Sequence, residues 1–253
     1  MRREPETGTG VWDMATLELY MEIGGDGGCH LFTFDPPGLL AWGPSREDAL
    51  AAAPAEAAKL RRLLAGNGLL GLLREVWDEG ETPELKVVET VTGRHRVGHG
   101  GTRATFARDL VPVREDEIPG FLEVLAALRT TLWSLKDRIP PEAYSFRSLP
   151  HRMTIGEQLR HIAGCDRWYL TRFWDDLPRL PRSRDVWHKL ELNRELALSR
   201  LGGMTADDRA RTRKIDHQVW SARKLFRRFA YHEKFHRDTI ERDLTLFAEG
   251  LKD

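Results

Sequence analysis

From about Asp116 onward the chain carries four long apolar stripes in succession, each with residues three and four apart and each cut off by prolines or glycines. Residues at those spacings share one face of an α-helix, so four helix faces must find cover. The first stripe, Ile118 to Arg138, brings Phe121, Leu125, Leu128, Leu132 and Leu135 together, and Pro140-Pro141 stops it because proline cannot continue the amide ladder. The second opens on "TIGE", where Thr154 can accept from the amide of Glu157 while Glu157 reaches back. It gathers Ile155, Leu159, Ile162, Tyr169 and Phe173 near one side. The third, about Ser183 to Leu201, ends at Gly202-Gly203, and the fourth runs from about Ser221 to Glu249. Helices of this length with short connections favour an antiparallel four-helix bundle.

Before residue 116 the pattern is different. "TLELYMEI", then "GGDGG", then "CHLFTFD" reads as a hairpin, and "LLAWG" as a third strand. Ser45, with Asp48 three residues on, caps a helix from Arg46 to about Leu64 that closes near Gly66. Pro54 predicts a kink or a break in it, since proline lacks an amide donor and clashes with the preceding turn. "LLGLLREVW" suits helix or strand equally, while "ELKVVETV" and "RATFARDLVPV" read as strands joined across "RHRVGHGG". The predicted fold class is α+β in two domains: a small α/β module over residues 14–115 and a helical bundle over residues 116–250.

Composition excludes several function classes. No apolar run of about 18 residues and no N-terminal apolar segment of the secretory kind is present, so the expected location is the cytoplasm, with no membrane partner. The two cysteines, Cys29 and Cys165, are far apart and make neither a disulfide framework nor a CxxC metal pair, so both read as free thiols. Basic and acidic residues balance at 39 each, but 13 of the basic and 20 of the acidic ones fall at or before Ile118. That asymmetry can steer an anionic substrate, while the lack of a concentrated basic tract disfavours nucleic acid as a partner.

In the fourth stripe, Leu225, Phe229, His232, His236 and Ile240 follow one another at steps of four, three, four and four, which turns both imidazoles toward the interior. Side chains four apart on a helix are neighbours, and two such nitrogens can converge on one ion. The second stripe offers a third donor in "EQLRHIAGCDRWYL", where His161 lies one turn after Glu157 and one turn before Cys165. Three imidazoles leave an open coordination position and suit zinc, nickel or iron. Against this, HxxxH is a common pattern and a histidine in an amphipathic helix is more often hydrogen-bonded than ligating. His30, His95, His99, His151, His188 and His217 read as surface or loop residues, and Cys165 as a small buried residue at the pocket's border. Tyr169, Trp168, Trp174 and Trp220 are candidates for lining a pocket, though aromatics on bundle helices are more often packing; Glu233 reads as a supporting or surface group, and Arg227 with Arg228 as a solvated flank.

"TIGEQLRHIAGCDRWYL" and "WSARKLFRRFAYHEKFHRDTI" resemble the two signature helices of the DinB-like superfamily, over about residues 119–249. The resemblance implies a four-helix bundle with a divalent metal held by His161, His232 and His236. It also implies thiol-dependent S-transferases and isomerases as relatives, hence a low-molecular-weight thiol and a small-molecule substrate as partners. "GGCHLFTFDPPGLLAWGPSREDALAAAPAEA" is similar to the HicB-like pattern of hairpin strands and a helix start. That implies a packing or oligomerisation role, with a homodimer as the assembly to test. The expected function is metal-dependent thiol transfer or a related hydrolysis. Two alternatives stand beside it: a non-catalytic metal or small-ligand binding module in a stress response, and an interaction protein with a structural bundle.

Overall fold

A computed structural model describes residues 15–97, 101–148 and 153–250. His99, His151 and residue 14, where the N-terminal module was expected to begin, lie outside the described residues. The fold is mixed α/β, with a small N-terminal sheet followed by a helical region.

The predicted hairpin forms. β1 (Thr16–Ile23) and β2 (Cys29–Phe32) pair antiparallel with Tyr20 opposite Phe32 and Ile23 opposite Cys29. β3 (Leu40–Gly43) adds to the other side of β2. The chain then turns sharply into α1 (Arg46–Gly66), whose cap is Ser45, its hydroxyl accepting from the amide of Asp48 at 3.1 Å. Glycine at position 43 permits the turn, because a Cβ there would stand 2.3 Å from the amide nitrogen of Ala49. The expected break does not occur, for α1 continues through Pro54. Pro54 lies on the exposed side of the helix, while Ala49, Ala53, Ala57, Leu60 and Leu64 keep the buried stripe intact.

"LLGLLREVW" resolves into a short 3-10 turn at Leu70–Leu72. β4 (Glu84–Thr92) is the predicted strand, and it joins β1 in parallel, giving the order β3-β2-β1-β4. The expected strand in "RATFARDLVPV" does not form; its only regular piece is a 3-10 turn at Arg108–Leu110. Carboxylates capture its amides instead of a neighbouring strand. The amides of Arg103 and Ala104 donate to Glu22 at 2.7 and 2.8 Å, that of Ala107 to Glu89 at 2.9 Å, and that of Phe106 to Asp109 at 2.9 Å.

Around β1 and β2 both faces of the sheet are covered, whereas the edge strand β4 alternates exposed and half-buried residues, the two-residue period of a strand with one side open to water. Leu17, Leu19, Met21, Cys29 and Leu31 join the core beneath α1, while Tyr20, Phe32 and Phe34 meet Phe106 and Tyr231 on the opposite side. Tyr231 belongs to α6 (Ala222–Ala248), so the last helix of the chain covers the first sheet.

The remaining long helices are α2 (Ile118–Trp133), α3 (Ile155–Thr171) and α4 (Val186–Gly202). Thr154 caps α3 as predicted, accepting from the amide of Glu157 at 3.2 Å, and Glu157 returns the contact at 2.8 Å. Contacts run from α2 to α4, α4 to α3, α3 to α6 and α6 back to α2, a closed ring. Between α4 and α6 the chain adds α5 (Ala206–Ala210) and a hairpin, β5 (Thr212–Ile215) with β6 (Gln218–Ser221), which the stripes alone do not announce. Its turn residues, Asp216 and His217, have φ of 49° and 62°, the left-handed region that two-residue hairpin turns require.

From Ala222 to Lys234 every residue of α6 is buried. Arg227 and Arg228, expected on a solvated flank, are therefore inside. Each charge on this segment has a designated partner: Arg223 reaches Glu117 at 2.7 Å, Arg227 Asp109 at 2.7 Å, and Lys234 Glu56 at 2.6 Å. Lys224 donates to Thr105 at 2.8 Å. Among the described residues, no helix is long and apolar enough to cross a membrane.

Candidate metal centre

On α6 the stripe of Leu225, Phe229, His232, His236 and Ile240 is buried throughout. On α3, Ile155, Leu159 and Ile162 are buried, and His161, half-buried, stands at the edge of that stripe facing α6. The two helices pack together, and the three imidazoles meet. Ring centroids are 4.9 Å apart for His161 and His232, 4.9 Å for His161 and His236, and 4.5 Å for His232 and His236.

His161 Nε2 and His232 Nε2 stand 3.1 Å apart. Two nitrogens each about 2.0–2.1 Å from one cation stand roughly 3.0–3.4 Å apart, so this pair fits a shared ion. Cys165, one turn along α3, directs its sulfur at the same imidazole, 3.5 Å from Nε2 and 3.8 Å from Nδ1. The donor atoms of His161, Cys165 and His232 all lie within 4.8 Å of one another, a group that could hold a metal ion. His236 sits ring to ring with both histidines, and its Nδ1 is 3.5 Å from Gln158 Oε1.

Burial sets the protonation states. It lowers the pKa of His161, and it holds His232 well below the ordinary imidazole value, helped by His236 and His161 alongside. Neutral imidazoles keep the lone pairs a cation needs. The Cys165 thiol is pushed up to about 12 by burial, with Asp166 nearby adding to it, so without a cation it stays protonated. The close group contains nitrogen and sulfur and no carboxylate, a set that suits borderline metals rather than magnesium or calcium.

Beside the cluster stand Gln158 and Asp243, two residues that the helical stripes do not single out. Gln158, under His236, donates through Nε2 to Asp243 at 2.9 Å, and Asp243 also accepts from Ser148 at 2.5 Å. The signal for Asp243 was its place seven residues after His236 on the same helix face. Tyr169 lays its ring edge on His232, 5.6 Å between centroids, and so walls the site as well as packing the core. Trp174 and Trp220 are buried in the apolar core, whereas Trp168 is partly exposed beneath the guanidinium of Arg172. Glu233 points away from the imidazoles into a buried network, accepting from Arg129 at 2.6 Å and from Arg194, while Asp166 accepts from the same two arginines. Arg228 is committed to the carbonyl of Thr102 and the hydroxyl of Tyr169.

The other histidines separate by place. His30, expected at the surface, is fully buried in β2 between Phe32 and Tyr231. The reason is the sheet's second face, which α6 covers and which a strand considered alone would leave open to water. His95 lies in a turn and contacts Glu22 at 2.7 Å, His188 is exposed near Glu191, and His217 occupies the β5–β6 turn.

Residues 125–240 match the family model of the DinB superfamily. The match covers a little under half of the chain, includes His161, Cys165, His232 and His236, and leaves the N-terminal sheet outside. No curated protein and no solved structure matches the chain significantly.

Proposed function

We propose that the chain is a DinB-like metalloprotein that binds one divalent cation through His161, His232 and His236 and uses it in thiol transfer or a related hydrolysis. The observation that carries this reading is the 3.1 Å approach of His161 Nε2 to His232 Nε2 across two helices, inside the segment that matches the superfamily model. The closed ring of contacts among α2, α4, α3 and α6 supports a four-helix bundle as the frame.

A bound divalent ion lowers the pKa of a coordinated thiol or water into the neutral range and so supplies a nucleophile. The chain's own groups do the rest. Gln158, steadied by Asp243, faces His236 Nδ1 at 3.5 Å and so helps to orient that ring, as an outer hydrogen bond orients a ligand. Tyr169 and Phe235 pack on the imidazoles and keep bulk water from two sides.

Elemental analysis of the purified protein is expected to give about one divalent ion per chain, and His232→Ala to abolish it. Turnover of a low-molecular-weight thiol with an electrophilic acceptor, lost in His161→Ala, supports catalysis. Saturable binding without turnover supports a recognition role, and a folded protein free of metal in every preparation rejects the reading.

A further inference from the structure

Cys165 stands in an unusual position for a residue that merely fills space. Its side chain touches the edge of the apolar core, yet its sulfur faces His161, and both of its polar contacts among the described residues are to that ring. Resting on the metal-binding reading above, we infer that Cys165 is itself a donor to the ion, so that the resting centre is capped by the protein's own thiolate and an outside ligand enters by taking its place.

The distances support it. A sulfur about 2.3 Å and a nitrogen about 2.0–2.1 Å from one tetrahedral centre stand about 3.5 Å apart. Cys165 Sγ is 3.5 Å from His161 Nε2, the same nitrogen that faces His232 Nε2 at 3.1 Å. One atom of His161 is thus the common corner of both pairs. Helix geometry makes this natural, since residues 161 and 165 are one turn apart on α3 and project together toward α6. With the His161 and His232 nitrogens, and His236 alongside, Cys165 would offer a nitrogen-and-sulfur donor set, which favours zinc or its surrogate cobalt over oxygen-loving cations.

The chemistry balances without an oxidant. When Cys165 binds, its S–H bond breaks, the proton leaves to solvent and a sulfur–metal bond forms. When an outside thiol enters, that thiol gives up its proton, the Cys165 sulfur takes one up as its bond to the metal breaks, and the net charge of the centre is unchanged. A capped centre also protects the cation from adventitious ligands until a thiol with suitable shape arrives.

The test is the absorption spectrum of full-length protein loaded with cobalt(II). The wild type is expected to show an intense near-ultraviolet thiolate-to-cobalt charge-transfer band beside the visible bands of tetrahedral cobalt. Cys165→Ala should lose the charge-transfer band while retaining bound cobalt, and 2-mercaptoethanol should restore it. Cys165→Ser, closer in shape, covers the case in which alanine disturbs packing. Cys29→Ala should keep the band, because Cys29 is buried beneath α1 in the sheet. Cobalt bound to the wild type without the band, or a band that persists in Cys165→Ala, overturns this inference and leaves the three-histidine reading standing. A wild type that takes up no cobalt overturns both.

Discussion

His30 shows how a single side chain can set the acid limit of the fold. Buried in β2, it has no hydrogen-bond partner for either ring nitrogen among the described residues, and burial pushes its pKa down to about 4. Between the ordinary imidazole value and that figure the unfolded chain binds a proton that the folded chain refuses, so stability falls as pH drops through this window. From pH 6.5 to pH 5 the loss is about 1.5 kcal/mol, a little under the full slope of about 1.36 kcal/mol per pH unit because the unfolded imidazole is only half protonated at the start. Urea unfolding of His30→Phe at the two pH values is expected to show a smaller acid-side loss than the wild type by about that amount. An equal loss in both proteins would place the sensitivity elsewhere. The histidine that resists protonation under the sheet and the ones that gather between α3 and α6 are the same residue type in different company. What separates them is whether a second imidazole is within reach.

At the level of helices, two devices are worth different amounts. The cap on α3 is local: Thr154→Ala removes one side-chain acceptor and is expected to cost about 1 kcal/mol in chemical denaturation. The network of Arg129, Asp166, Arg194 and Glu233 ties α2, α3, α4 and α6 together out of water. Glu233→Ala leaves two buried guanidinium groups to share Asp166, so a loss of about 3–5 kcal/mol is expected in the same measurement. The sequence discloses the cap because its residues are three apart, and it discloses His232 and His236 because a stripe has a face. It does not disclose the network, since Arg129 and Glu233 are 104 residues apart and nothing in either neighbourhood names the other. The segment 103–113 was misread for a related reason. Its β-branched and aromatic residues have strand propensity, but Glu22, Glu89 and Asp109 reach its amides first, and two of these three arrive from distant strands. His161 was legible as a donor only through its partner helix, and Cys165 looked like a core residue because spacing alone does not show which way a sulfur turns.

For the molecule as a whole, a bound ion is a crosslink between α3 and α6 that the unfolded chain lacks. Loading at about 100 times the dissociation constant adds about 2.7 kcal/mol. For a chain of this size that corresponds to a Tm higher by roughly 5–10 °C than after chelation, read by calorimetry with and without a strong chelator. An unchanged Tm would mean that no cation bridges the helices. Charge is shared in the same long-range way: the acidic first part and the basic remainder meet where Arg223 and Arg227 of α6 find Glu117 and Asp109. The apolar core beneath α1 likewise continues without interruption into α2, α3 and α6.

That last helix is a rod of 27 residues, about 40 Å long at 1.5 Å per residue. It is clasped on every side up to Lys234, and His232 and His236 straddle the place where the clasp ends; beyond it, residues such as Arg242 and Thr245 are open to water. A mast stepped so deeply is fixed at its foot, and the sheet below is the keel that sets where the imidazoles stand.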